Sequence, residues 1–256
     1  MITANSRLFV NVVVREVDSK MSEANENIYE RTELMLGCDA VKRLKACHIC
    51  VVGVGGVGGF ATEALARAGV GTLTLVDSDR VSVSNINRQI IALHSTVGTY
   101  KTEAMRARIA EINPDCTVIC KNVFYEENTA NSLALQEYDY VLDCIDSVSS
   151  KVLLISKANE VSARIISAMG AGNKLDPTRF RVSDISKTTT DPLARAIRGR
   201  LKKLGINHLK VVFSDELPIN PTCQRTPGSV SFVPSVMGLI MAGEAIKDLA
   251  LTDQEA

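Results

Sequence analysis

The sequence has no excess of charge of either sign, no apolar run long enough to span a membrane and no regular cysteine framework, and each lack removes a class of function. Lys plus Arg and Asp plus Glu both number 29 among 256 residues, so overall charge points to no partner. The longest apolar candidate, SVMGLIMAGEAIKDLA, is shorter than the roughly 18–20 residues of a membrane helix and carries charge; a soluble chain with no membrane partner is expected. The seven cysteines are odd in number and irregularly spaced. With no signal peptide ahead of them they suit a reducing compartment, and a cytoplasmic location is expected. There is one C-x-x-C, Cys47 and Cys50, inside a predicted strand where positions i and i+3 point to opposite faces. Without a second pair, no structural zinc is expected. Internal repeats and low-complexity linkers are also missing. An apolar content of 46% excludes a long disordered chain and allows a sizeable core.

What is present is ordered along the chain. Residues 1–27 read as an N-terminal appendage, expected to be poorly ordered, with Met21 an alternative start. From Lys45 onward, strand-like runs alternate with helix-period segments: ACHICVVGV, FATEALARAG, GTLTLVD, KTEAMRARIAEIN, CTVICKNV, YDYVLDCID, SKVLLISKANEVS and RIISAMGAG. That alternation predicts βαβ units and a mostly parallel sheet with helices on both faces. After Asp176 a polar connection leads to a helix with complete signals: Asp191 as N-cap, Pro192 at the first helical position and Gly205 as the stop. Leu193, Ile197, Leu201 and Leu204 are expected on its buried face, with Arg195, Arg198 and Lys202 pointing elsewhere. An apolar helix from about Ser235 to Leu249 ends the chain.

Gly53, Gly55 and Gly58 satisfy G-x-G-x-x-G after a strand and at the start of a helix. The first permits the tight turn, the second lets phosphate approach the backbone, and the third lets helix and strand pack closely. The helix N-terminus then offers unpaired N–H groups to a phosphate. Asp77 and Asp79, about 20 residues on, sit where a carboxylate can hold ribose hydroxyls. This motif specifies a nucleotide without choosing NAD or ATP. Arg88 and Lys101, just beyond it, favour a triphosphate, whose charge must be neutralised during phosphoryl or nucleotidyl transfer. Asp143 and Asp146 end a predicted strand at the carboxyl edge of the sheet, and a carboxylate beside a triphosphate is most simply a Mg²⁺ ligand.

The segments GVGGVGGFATEALARAGVG, LVDSDRVSVSNINRQ, TVGTYK and VLDCIDS resemble the ATP-binding adenylation domain of the ThiF/MoeB/ubiquitin-activating superfamily. AMGAGNKLDPTRFRVSDISKTTTDPLARAIRGRLKKLGI, VVFSDELPI and SFVPSVMGLIMAGEAIK resemble one branch, the tRNA threonylcarbamoyladenosine dehydratases (TcdA, also CsdL). The resemblance implies a Rossmann-like, doubly wound α/β sheet with a C-terminal elaboration. It implies a single ATP-binding domain over residues 28–256, with a basic helical segment at about 190–205. The implied reaction is ATP-dependent activation of the threonylcarbamoyl carboxylate beside the tRNA anticodon as an acyl adenylate, then ring closure with net loss of water. By the same resemblance Gly53, Gly55, Gly56 and Gly58 cradle ATP and Asp79, next to Asp77, holds the ribose. Asn85, Arg88, Gln89 and Lys101 engage the nucleotide, and Asp146 binds Mg²⁺. Arg31, in YERTELMLG, is implied to reach a partner subunit's ATP, which makes the expected enzyme a homodimer with Arg31, Arg88, Lys101 and Asp146 as its catalytic set.

Two further features bear on partners. Between Lys174 and Lys210 there are ten Lys/Arg against three Asp/Glu, a local balance of +7. Arg195, Arg198, Arg200, Lys202 and Lys203 crowd one helix, near Arg179, Arg181 and Lys210, and are expected to contact tRNA. Cys223, in NPTCQRTPGS, is expected to be the one cysteine outside the regular sheet; it reads first as an incidental loop cysteine and second as a free thiol suited to thioester or persulfide chemistry with a sulfur-relay protein. Cys38, Cys116, Cys120 and Cys144 are expected as small buried apolar residues or strand ends. Two other readings compete: adenylation of the C-terminus of a ubiquitin-like sulfur carrier, and a non-enzymatic nucleotide-binding or redox module.

Overall fold

An apolar run buried on both faces belongs in the middle of a sheet covered on two sides. β1 (His48–Val52) is such a run: Ile49 and Val51 join one buried cluster, Cys50 and Val52 another. The computed structural model describes residues 27–219 and 226–251 and builds outward from this strand. β2 (Thr72–Val76) and β3 (Thr117–Lys121) add in parallel on one side, β4 (Tyr140–Asp143) and β5 (Ile165–Ala168) on the other. β7 (Lys210–Ser214) continues parallel to β5, and β6 (Phe180–Asp184) runs antiparallel along its outer edge. The order β3-β2-β1-β4-β5-β7-β6 is the predicted Rossmann-like, doubly wound α/β sheet with a C-terminal elaboration. Its strand order reverses between β1 and β4, the place where such sheets open a ligand crevice.

The helices cover both faces. α1 (Glu30–Leu36) and α2 (Cys38–Ala46) precede the sheet. α2, α3 (Gly58–Arg67), α4 (Lys101–Ile112) and α8 (Phe232–Ala250) bury their apolar faces in the cluster that holds Ile49 and Val51. The short α5 (Glu127–Ala130), α6 (Val148–Glu160) and α7 (Pro192–Lys203) cover the opposite face. Among the described residues no helix is long and apolar enough to cross a membrane.

α7 shows how local chemistry sets an element. The Asp191 carboxylate accepts from Ala194 N at 3.1 Å, Pro192 begins the helix, and Gly205 takes the left-handed φ of 78° that ends it. Its buried face is Ala194, Ile197 and Leu201, and Leu204, expected there, is exposed. The reason is the stop signal itself: Ile206 N donates to Leu201 O and Gly205 N to Lys202 O, and this closure folds Ile206 into the cluster in place of Leu204.

Three other expectations are corrected. Cys38 is exposed as the first residue of α2, so it is neither core nor strand end. Cys47 lies just before β1, not inside it, and packs on the opposite side of the sheet from Cys50. α8 begins at Phe232, earlier than Ser235, so Pro234 stands in its first turn. β6 has no forerunner in the sequence reading, because an edge strand with Arg181 and Val182 exposed lacks an apolar run.

Candidate active site

The site begins with a steric fit at the carboxyl ends of β1 and β4. Gly53, directly after β1, has φ 93°, and its N–H donates to Val76 O at 2.8 Å. A Cβ on Gly53 would lie 2.7 Å from Cys144 O, and one on Gly58 only 1.8 Å from Gly53 O. Both positions therefore require glycine, since strand, loop and helix touch through their backbones. Gly58 packs α3 onto the turn beside the cleft and is not one of the residues lining it. No side chain caps the start of α3; there Gly59 N donates to Gly55 O at 2.9 Å and Ala61 N to Val57 O at 3.1 Å.

A cavity of about 340 Å³ opens beside this turn. It is lined by Gly53, Gly55, Gly56, Asp77, Asp79, Asn85, Arg88, Gln89, Lys101 and Asp146, so residues spread over almost a hundred positions meet in one place. Asp77 anchors the loop: its carboxylate accepts from Val54 N at 2.8 Å and from Asp79 N at 2.8 Å. Burial raises its carboxyl above the usual range, opposed by the Lys101 charge and the two backbone donors. Lys101, almost fully buried at the start of α4, is 2.7 Å from Asp79 and 3.8 Å from Asp77. Its ammonium is thus fixed between two carboxylates at the cavity wall.

The remaining residues are held by local hydrogen bonds. Asn85 accepts from Ser82 N at 3.1 Å and closes a turn; Arg88 donates to Ser84 O and to the Asn87 side chain, both at 2.9 Å. Gln89 lines the cleft and is buried, with its Oε1 unpartnered among the described residues. Asp146 is exposed at the rim. Asp143 does not join it: it is fully buried, 2.8 Å from the equally buried Lys151, and accepts from Ser167 Oγ at 2.5 Å and Ile145 N at 3.1 Å. Asp143 thereby shapes the turn that carries Asp146. Among the described residues no cluster of three or more His, Cys, Asp or Glu is placed to hold a metal.

Sequence reasoning missed the side of the cleft formed by Val123, Phe124 and Tyr125, and Pro234 above Gly56. The signal was available, because NVFY follows β3 at the same carboxyl edge as the glycine loop. Arg31 is exposed on α1 and does not line this chain's cleft. Cys223 lies outside the described residues. On α7, Arg198 is turned inward and donates to Thr188 O at 2.9 Å and to Thr188 Oγ1. Arg179 is 2.6 Å from Asp215 and Lys210 is 2.8 Å from Asp248. Arg195, Arg200, Lys202 and Lys203 remain exposed on the helix surface.

The ThiF family model matches residues 29–256. A tRNA threonylcarbamoyladenosine dehydratase of Bacillus subtilis is 45% identical over 238 residues, covering 86% of this chain and 94% of that protein. A crystal structure of the E. coli tRNA N6-threonylcarbamoyladenosine dehydratase TcdA in complex with ATP superposes with a TM-score of 0.81 at 38% identity, covering 86% of this chain and 93% of the other. A molybdopterin-synthase adenylyltransferase of Salmonella typhimurium is 33% identical, covering 93% of this chain and 88% of that protein.

Proposed function

This chain belongs to the ThiF family, and from that premise we propose that it is an ATP-dependent tRNA threonylcarbamoyladenosine dehydratase. It closes the threonylcarbamoyl side chain of a tRNA adenosine into a ring. The observation that carries the reading is one cavity in which the glycine turn, Arg88, Lys101 and Asp146 meet. A carboxylate is a poor electrophile. Attack of its oxygen on the α-phosphate of ATP, with loss of pyrophosphate, gives an acyl adenylate; ring closure by a nucleophile within the substrate then releases AMP, for a net loss of water. The protein's task is alignment and charge neutralisation at the α-phosphate.

Gly55, Gly56 and the α3 N-terminus take the phosphates, Arg88 and Lys101 offset their charge, and Asp79 releases Lys101 as it turns to the ribose. Asn85 and Gln89 complete the nucleotide contacts. Mg²⁺ fits the donor set as an ion held by Asp146 together with the triphosphate's own oxygens, where it would neutralise charge on the leaving pyrophosphate. Arg31 serves the cleft of a second copy, so the active form is a homodimer, in the cytoplasm with its tRNA.

The direct test incubates the protein with ATP and tRNA carrying threonylcarbamoyladenosine and follows the mass of the released nucleoside. Loss of one water, dependent on ATP, is expected. ATP/pyrophosphate exchange stimulated only by a Gly-Gly-ended carrier protein would replace this reading with sulfur-carrier adenylation, which the likeness to the molybdopterin-synthase adenylyltransferase keeps as the second reading.

The exposed cations of α7 contact the tRNA backbone in this proposal. Arg195→Gln with Lys202→Gln should weaken tRNA binding at low salt and make the log–log salt slope shallower by about 1.4, at about 0.7 per lost contact on single strands. Filter binding across a salt series measures both; an unchanged affinity and slope would remove α7 from the RNA interface. Arg198 is the wrong probe, because its loss frees the Thr188 loop.

A further inference from the structure

The connection from β7 to α8 begins after Ser214 and ends at Phe232, and its described parts converge on one residue of another loop, Asn173. Ile219 N donates to Asn173 O at 2.7 Å, Asn173 N donates to Gly228 O at 2.8 Å, and Gly228 N donates to Asn173 Oδ1 at 2.6 Å. Asn173 has φ 58°, a left-handed conformation that Asn and Gly adopt with least strain. A Cβ on its neighbour Gly172 would lie 2.7 Å from Pro227 Cβ, so the two loops touch.

This staple is anchored below and leads to the cleft above. Below, the next residue, Lys174, is buried with its ammonium 2.6 Å from Gly170 O and 3.1 Å from the α7 N-cap Asp191. Leu175 N and Asp176 N both donate to the buried Glu216 carboxylate at 3.0 Å. Above, the segment leaving Gly228 is met by Asn87 Nδ2, which donates to Ser229 O at 3.0 Å. Five residues later, Pro234 stands over the glycine turn: a Cβ on Gly56 would be 3.3 Å from Pro234 Cβ and 3.6 Å from Arg88 Cγ. Asn173, Gly228, Ser229 and Pro234 therefore link the buried contacts of Lys174 and Glu216 to the end of the cavity at Gly56 and Arg88.

We infer that Asn173 is a positioning residue for the nucleotide cleft, its side-chain oxygen holding Gly228 so that Pro234 backs Gly56 and Arg88 against bound ATP. The inference rests on the reading of the cleft as an ATP site. A role in loop closure alone would change stability and leave ATP affinity untouched.

The experiment titrates Mg²⁺-ATP into the full chain and into Asn173→Ala, Asn173→Gly and Asn173→Asp by calorimetry, below the thermal midpoint measured for each. Asn173→Ala and Asn173→Gly should each weaken binding about tenfold, a difference of about 1.4 kcal/mol. Asn173→Asp, which keeps the acceptor and tolerates the left-handed backbone, should bind as the unaltered protein does. Glycine removes the acceptor without backbone strain, so unaltered affinity in Asn173→Gly overturns the inference, as does an Asn173→Asp as weak as Asn173→Ala. An unaltered protein that bound no ATP would overturn the reading of the cleft and this inference together; variants indistinguishable from a protein that does bind overturn this inference alone.

Discussion

Gly58→Ala is expected to weaken ATP binding by at least about 100-fold, equivalent to roughly 2.7 kcal/mol. The added methyl would sit 1.8 Å from Gly53 O, a main-chain atom that no rotamer change can move. Gly53 cannot retreat, because its N–H is bonded to Val76 O and Cys144 O lies against its other side. The remaining escape is to push α3 away from β1, and that withdraws the helix N-terminus and Gly55 and Gly56 from the phosphates. Gly71→Ala supplies the control. Its methyl would meet Lys45 O at 1.9 Å, an equally hard clash, but ahead of β2 at the opposite end of the strands from the cleft. Gly71→Ala should lower the thermal midpoint and, in the protein still folded, leave the dissociation constant for ATP unchanged. Calorimetric titration of both variants separates the two effects. A Gly58→Ala protein binding ATP within twofold of the unaltered chain would show that the turn does not form the phosphate site.

How much of this could be read beforehand follows from how local the determinants are. β1, the glycine turn and α3 were legible because the strand period, the glycine spacing and the helix start occur within twenty residues. α7 was legible to its caps, and Leu204 failed only because the closure that places Ile206 beneath the helix reverses the chain after the periodic stretch ends. β6 was hidden because an edge strand satisfies half of its backbone with solvent and has no need of an apolar run. At the site, residues with a charge and a motif position were found, whereas Phe124 and Pro234 arrive from distant segments with side chains that have ordinary packing roles elsewhere. Asp143 shows the same limit from the other side. Beside Asp146 it reads as a second metal carboxylate, and only its distance to Lys151 reveals a buried ion pair.

That pair carries the largest expected change in stability. Lys151→Met is expected to cost about 3–5 kcal/mol, the usual consequence of leaving one charge of a buried pair without its partner. Lys151 and Asp143 are both fully buried at 2.8 Å, so water cannot replace the lost ammonium. Ser167 Oγ–H and Ile145 N–H still reach the carboxylate, but two neutral donors do not supply its counter-charge. The double variant Asp143→Asn, Lys151→Met removes the stranded charge while an amide retains the acceptor for Ile145 N–H. It should therefore recover a large part of the loss, although it carries one more substitution. Urea unfolding of the two single variants and the double gives the coupling directly, provided the slope with denaturant stays constant. The same turn presents Asp146 to the cleft, so Lys151→Met assayed below its unfolding transition should also lose turnover, and the double should regain it with stability. A Lys151→Met protein within 1 kcal/mol of the unaltered chain by the same urea measurement would mean that Asp143 is held without a cation, and the turn beneath Asp146 would then owe its shape to Ser167 and the backbone alone.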